Sequence, residues 1–185
     1  MRDRWYGDHR DLIKWGGLLE IARIYGLRHI LQVAYYRECR WERIEVDGRS
    51  VEVSEKVIGH FRDINLIKKL NCTIPVDVVT EVFDERSRRK YLQTVLASIG
   101  LRGVSPGIVF LDPDTGLQPR NGKFGPTHTL ESELKEIWSS LSAGDVLALY
   151  QHQTNKAGKP WIEDKMAQFA RVVESTASLC KPRNP

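Results

Sequence analysis

A chain of 185 residues, 41% hydrophobic and 28% charged, has room for one domain with a sizeable core and lacks the low-hydrophobicity signature of a disordered protein. Its 28 Lys+Arg against 24 Asp+Glu leave a net charge of +4, which permits an anionic partner such as nucleic acid without demanding one. Three widely spaced cysteines, Cys39, Cys72 and Cys180, make no CxxC pair and argue against a disulfide framework or a cysteine zinc site, and no apolar run approaches the roughly 18 residues of a membrane span. The expectation is one cytoplasmic domain over 1–185, with no membrane partner and a frayed tail at 181–185.

From Asp8 to Tyr25 the apolar positions Leu12, Trp15, Leu19 and Ala22, with Leu18 beside them, recur at steps of three and four, and Gly26 follows. This spacing predicts an amphipathic helix with a glycine C-cap. His29 to Tyr36 is β-branched and aromatic and predicts a strand lying under that helix. Residues 38–53 contain Asp47-Gly48 between two alternating stretches, the pattern of an inserted hairpin or loop.

Ser54 is an N-cap candidate for a second helix carried by Val57, Ile58, Phe61, Ile64 and Ile67. Ile74 to Phe83 reads as the next strand, and Tyr91, Leu92, Val95, Leu96 and Ile99 as a third helix closed by Gly100. A strand at Ile108 to Leu111 follows, then a Gly/Pro-rich loop from Pro113 to Pro126 and a helix through Leu130, Leu134, Ile137 and Leu141. The last pair is a strand from Asp145 to Tyr150 and a helix from Trp161 to about Leu179. Strands alternating with helices imply right-handed crossovers, a mainly parallel sheet and an α/β, Rossmann-like three-layer sandwich. Ligands of such sheets bind beyond the carboxyl ends of the strands.

Three polar clusters fall at strand ends: Asp112 with Asp114, Gln151 with His152, and Asp84 with Glu85. A carboxylate held by a strand terminus can coordinate a cation, accept a hydrogen bond from an amine or ribose, or serve as a base without first ordering a loop. The same Asp-Pro-Asp-Thr-Gly string is also a strong turn in which the Asp side chains bond nearby amides. The opening helix adds Asp8, Asp11, Lys14 and Trp15 at helical spacing, which equally suits an ordinary first turn whose acids complement the dipole.

Taken in order, Gly7-Asp8-His-Arg-Asp11-Leu-Ile-Lys14-Trp15-Gly16, Phe110-Leu-Asp112-Pro113-Asp114-Thr115-Gly116-Leu117 and Tyr150-Gln151-His152 resemble the motifs of a family of small bacterial and phage-type proteins. Thr115 stands where that pattern has Asn. The family is similar to S-adenosylmethionine-dependent methyltransferases, with Asp112-Pro113 in the place of the motif that ends their fourth strand. The resemblance implies S-adenosylmethionine as cofactor, cofactor contacts from Asp8, Asp11 and Asp84, and a catalytic group of Asp112, Asp114, His152 and Lys14 acting on nucleic acid. The first strand lacks the Gly-x-Gly turn such cofactor sites use.

Two other readings use the same residues. In a metal-dependent phosphodiesterase or nuclease, Asp112 and Asp114 bind Mg²⁺, with Asp8 or Glu81 as further ligands and Lys14 or His152 moving a proton. The order Asp112, Glu133, Lys135 fits a restriction-type motif only by placing Glu133 and Lys135 on a helix, where that motif has a strand. In a non-catalytic binding module, Asp112→Asn would leave partner binding intact.

Overall fold

The computed structural model describes residues 9–38, 43–71, 73–103, 105–121, 123–153 and 161–177. Asp8, the three cysteines, Lys156, Lys159 and the tail at 181–185 lie outside them.

Helix α1 spans His9–Tyr25 and ends as its sequence predicts. Gly26 takes φ +65, and the Leu27 amide donates to the Ala22 carbonyl at 2.8 Å, the closing bond of a Schellman turn. The buried face differs by one residue from the apolar spacing. Asp11, Trp15, Leu18 and Ala22 point inward, whereas Leu12 is 75% exposed. A carboxylate therefore occupies the first turn of the core-facing stripe.

Strand β1 is Ile30–Val33. The exposed strands β2 (Arg43–Val46) and β3 (Arg49–Glu52) form an antiparallel hairpin, with Asp47 and Gly48 both at positive φ in its two-residue turn. Helix α2, Glu55–Arg62, is capped by Ser54 but stops before Ile64. Asp63 interrupts it by accepting from the Asn65 amide at 3.0 Å, and Ile64–Lys69 continues as a 3-10 helix that still buries Ile64 and Ile67.

Strand β4, Val76–Val79, is followed by helix α3, Arg88–Leu101, which passes through Gly100 before the chain turns at Gly103 with φ +79. Strand β5 is Ile108–Leu111. A two-residue strand, β6 (Gly116–Leu117), within the Pro113–Pro126 segment expected to be only loop, pairs in parallel with a second, β7 (His128–Thr129), just beyond it. Helix α4 (Glu131–Ser139), strand β8 (Val146–Leu149) and helix α5 (Ile162–Ala177) complete the described chain.

The main sheet has the order β4-β1-β5-β8 with every pair parallel, Ile30 opposite both Val76 and Ile108, and Ile108 opposite Val146. Strand alternation divides the core in two. Ile30, Ala34, Val76, Val78, Ile108 and Phe110 pack with Trp15, Leu18 and Ala22 of α1 and with Ile64 and Ile67. Leu31, Val33, Val109 and Leu111 pack on the opposite face with α3, α4 and Val172 of α5. This is an α/β Rossmann-like sandwich.

From β1 the chain moves outward to β4, then crosses back over β1 to β5 and on to β8. The winding direction reverses between β1 and β5. In open parallel sheets, ligands bind beyond the carboxyl ends of the strands at such a reversal. Among the described residues no helix is long and apolar enough to cross a membrane.

Candidate active site at the topological switch point

Asp112 is the first residue beyond β5, and its amide continues the ladder by donating to the Val33 carbonyl at 2.9 Å. Alternation sends its side chain to the α1 face, where it is 1% exposed. Pro113 restricts Asp112 to extended backbone and so fixes that direction. One carboxylate oxygen accepts from Lys14 Nζ at 3.0 Å, and the other from Gln32 Nε2 at 3.0 Å. Lys14 also meets Asp11 Oδ1 at 2.5 Å, and its ammonium lies 4.5 Å from the centroid of the Tyr150 ring.

The structure thus brings together Lys14 and Asp112, expected in the catalytic group, with Asp11, expected as a cofactor contact, and adds Gln32, which no sequence motif singles out, and Tyr150, known only from its motif. Gln32 could have been found as the one polar side chain inside an otherwise apolar strand. It is completely buried, and its Oε1 has no hydrogen-bond partner. A buried amide oxygen left unpaired costs about 1–3 kcal/mol, and such groups in native proteins call for a reason.

The electrostatics follow from burial. Removal from water pushes the Asp112 carboxyl above the ordinary carboxylate range, and the adjacent Lys14 ammonium offsets only part of that. Burial alone would lower Lys14, but Asp112 and Asp11 together outweigh it and hold the ammonium above its ordinary value. When all three are ionised, both carboxylates lie within ion-pair distance of the one Lys14 ammonium, out of contact with bulk water. The arrangement can accept a proton or a further positive group.

Asp114 turns elsewhere, into an ion pair with Arg37 beyond the end of β1. Its carboxylate and that of Asp112 consequently face different cations. His152 follows β8, and its Nε2 lies 2.7 Å from an Arg10 guanidinium nitrogen. Arginine only donates, which assigns Nε2 as the acceptor and puts the ring proton on Nδ1, 3.2 Å from the Gln153 carbonyl. Arg10, Asp11 and Lys14 all belong to the first turns of α1, so one helix end holds both Asp112 and His152.

The loop that carries the two acids is fastened by Gln151. Its Oε1 accepts from the Leu117 amide at 2.9 Å, and its Nε2 donates to the Thr115 carbonyl at 3.0 Å. Gly116 has φ +119, and a Cβ there would lie 2.3 Å from Gln151 Oε1. The backbone there favours glycine, and any side chain would also displace the Gln151 amide from its two bonds to the loop.

Asp84 lies beyond β4 and caps its own turn, accepting from the Arg86 amide at 2.9 Å and pairing with the Arg86 side chain. The side-chain bond to Arg86 holds its carboxyl below the usual range. Between β4 and β1, Tyr35, Phe83 and Tyr91 form an aromatic cluster with ring centroids 5.1 to 5.4 Å apart. Tyr35 itself takes φ +45 at the end of β1. The chain makes the left-handed turn there without glycine, at about 1–3 kcal/mol of strain that the surrounding packing must offset.

In the basic run Arg86, Arg88, Arg89 and Lys90, the three arginines are engaged in ion pairs, of which only that of Arg88 is buried. Arg86 pairs with Asp84, Arg88 with Glu133, and Arg89 with Glu136. Glu133 also accepts from the Leu130 amide at 2.9 Å, and so works as a helix-capping and ion-pairing residue. Among the described residues no three His, Cys, Asp or Glu side chains converge as a metal-ligand set. No family model, curated protein or solved structure matches the chain.

Proposed function

We propose that this protein is a methyltransferase-like Rossmann enzyme that binds S-adenosylmethionine at the β1–β5 crevice and acts on nucleic acid inside the cell. The observation that carries the proposal is the cluster of Asp11, Lys14 and Asp112, which sets both signs of charge within 3.0 Å at the switch point. The methionine part of the cofactor ends in an ammonium and a carboxylate. Asp11 suits the first and Lys14 the second. The unpaired Gln32 Oε1 offers one more acceptor, and Asp84, beyond the adjacent strand, is the acid available for ribose hydroxyls.

The bound cofactor would supply an electrophilic methyl group on a sulfonium. The protein's part is positional. Asp112 and Asp114, held by the rigid turn through Pro113 and Gly116, orient the acceptor amine or hydroxyl. His152, neutral with Nε2 unprotonated in this arrangement, takes up the acceptor's proton once Arg10 releases that nitrogen.

Calorimetric titration with S-adenosylhomocysteine tests the reading without knowledge of the acceptor. The wild type should bind at micromolar concentration, and Lys14→Met should weaken binding by a factor of about 10 or more, the worth of one charge-assisted contact. No heat at millimolar ligand contradicts it, and heat with Mg²⁺ alone would favour the hydrolase alternative.

A further inference from the structure

On the other side of the 112–117 loop lies a cavity of about 580 Å³ that none of the residues assigned above uses. Its volume is in the range of sites for small organic ligands. The wall nearest the loop is Thr115, whose carbonyl accepts from the His152 amide at 2.9 Å, so the cavity and the Asp112 crevice share one structural partition. Lys165, Arg120, Trp161, Gln153 and Asp164 form much of the remainder.

The electrostatics of this cavity are unlike those of the Asp112 crevice. Lys165 directs its ammonium at the Leu117 carbonyl (2.9 Å), the Gln118 carbonyl (2.8 Å) and Gln168 Oε1 (3.0 Å), all of them neutral acceptors. Gln168 is itself 1% exposed and is fixed by donating to the Gln118 carbonyl and Glu131, so the lysine stands on a rigid base. Arg120 hydrogen-bonds the Asp164 backbone carbonyl at 3.3 Å, again a neutral acceptor. Among the described residues neither cation has a carboxylate partner within ion-pair distance. Burial lowers the Lys165 amine below its ordinary value, and the neighbouring Arg120 acts in the same direction against the pull of Glu131.

Lys165 and Arg120 set two cations in one recess, bonded to neutral acceptors with Asp164 in the wall and Glu131 behind Lys165, and an anion bound there would relieve their mutual repulsion. Trp161 adds a flat apolar wall, the surface on which nucleobases stack, and Gln153 and Asp164 supply donor and acceptor groups able to read a base edge. The geometry points to a site for a phosphate-bearing nucleoside, with the base against Trp161 and the phosphate toward Arg120 and Lys165. Because the ligand is defined by charge and stacking, this assignment stands whether or not the crevice beyond β1 and β5 binds S-adenosylmethionine.

The test is calorimetric titration of the cofactor-free full chain with adenosine monophosphate and, in a second arm, with a short single-stranded oligonucleotide. Saturable binding is expected, weakened about tenfold or more by Arg120→Glu and by Trp161→Ala. Arg120 is exposed, so its substitution should leave the circular dichroism and thermal midpoint unaltered. Comparable affinity for both probes would assign the site to free nucleotides, and much tighter oligonucleotide binding would assign it to a nucleic-acid strand. Binding of neither probe, or binding indifferent to both substitutions, overturns the assignment.

Discussion

Replacing Lys14 by Met removes the cation shared by two buried carboxylates while keeping an apolar stem of similar length. Lys14 Nζ is 2.5 Å from Asp11 and 3.0 Å from Asp112, and the Lys14 and Asp112 side chains are 11% and 1% exposed. Charges 3.0 Å apart attract by about 5 kcal/mol at an effective dielectric constant near 20, and most of that opposes the cost of burying them. Loss of Lys14 takes the ion-pair partner from the buried Asp112 carboxylate, at about 3–5 kcal/mol. For a domain of this size that corresponds to a fall of about 6–20 °C in Tm.

The pH dependence fixes the mechanism. The Asp112 carboxyl is raised in the folded state, so its contribution to stability is fully present below about pH 3.9 and is lost as pH rises through the folded value. Without Lys14 the folded value rises further, and the deficit of the variant should widen from about pH 4 to pH 7. In the wild type, Lys14 is raised above its ordinary value and contributes fully below about pH 10.4, losing that contribution only above its folded value. Urea titrations followed by circular dichroism at pH 4 and pH 7 measure both effects, and adding Asp112→Asn to Lys14→Met should restore part of the loss. A deficit below about 0.5 kcal/mol, or one of equal size at both pH values, would refute the reasoning.

Gly116→Ala should destabilise by about 1–3 kcal/mol, because the new Cβ meets Gln151 at 2.3 Å on backbone at φ +119; a thermal midpoint equal to wild type would show that the loop rearranges freely. Arg88→Ala should cost about 3–5 kcal/mol by stranding the Glu133 carboxylate, which is 8% exposed, and Arg88→Lys should recover only part of it, since Arg88 meets both Glu133 oxygens and the His128 carbonyl. Denaturant midpoints of the two variants check this, and an Arg88→Lys midpoint equal to wild type would mean that charge alone matters.

Much of the architecture was legible because strand and helix periodicities are local. The largely apolar, β-branched runs at 30–33 and 108–111 read as strands, and their alternation with helices pointed to a parallel sheet. Strand order was not legible, since it depends on how far each crossover reaches. Only that order shows Asp112 to lie at the reversal between β1 and β5. The helix α1 stripe misled by one position, because Leu12 signals burial by its type and Asp11 does not. The break at Asp63 was equally hidden, for an apolar spacing continues unchanged when an α-helix passes into a 3-10 turn that buries the same residues. Gln32 and the cavity around Lys165 depend on tertiary contacts alone.

The central claim is that the ligand crevice is built on Gln32, Lys14 and Asp112. The side-chain amide resonance of Gln32, assigned in a proton–nitrogen spectrum by its loss in Gln32→Leu, reports on that point directly. Saturation with S-adenosylhomocysteine should shift this resonance and slow the amide's exchange with water, as Oε1 gains the partner it lacks. An unmoved Gln32 amide, with the ligand either unbound or shifting only resonances elsewhere in the chain, would contradict the account.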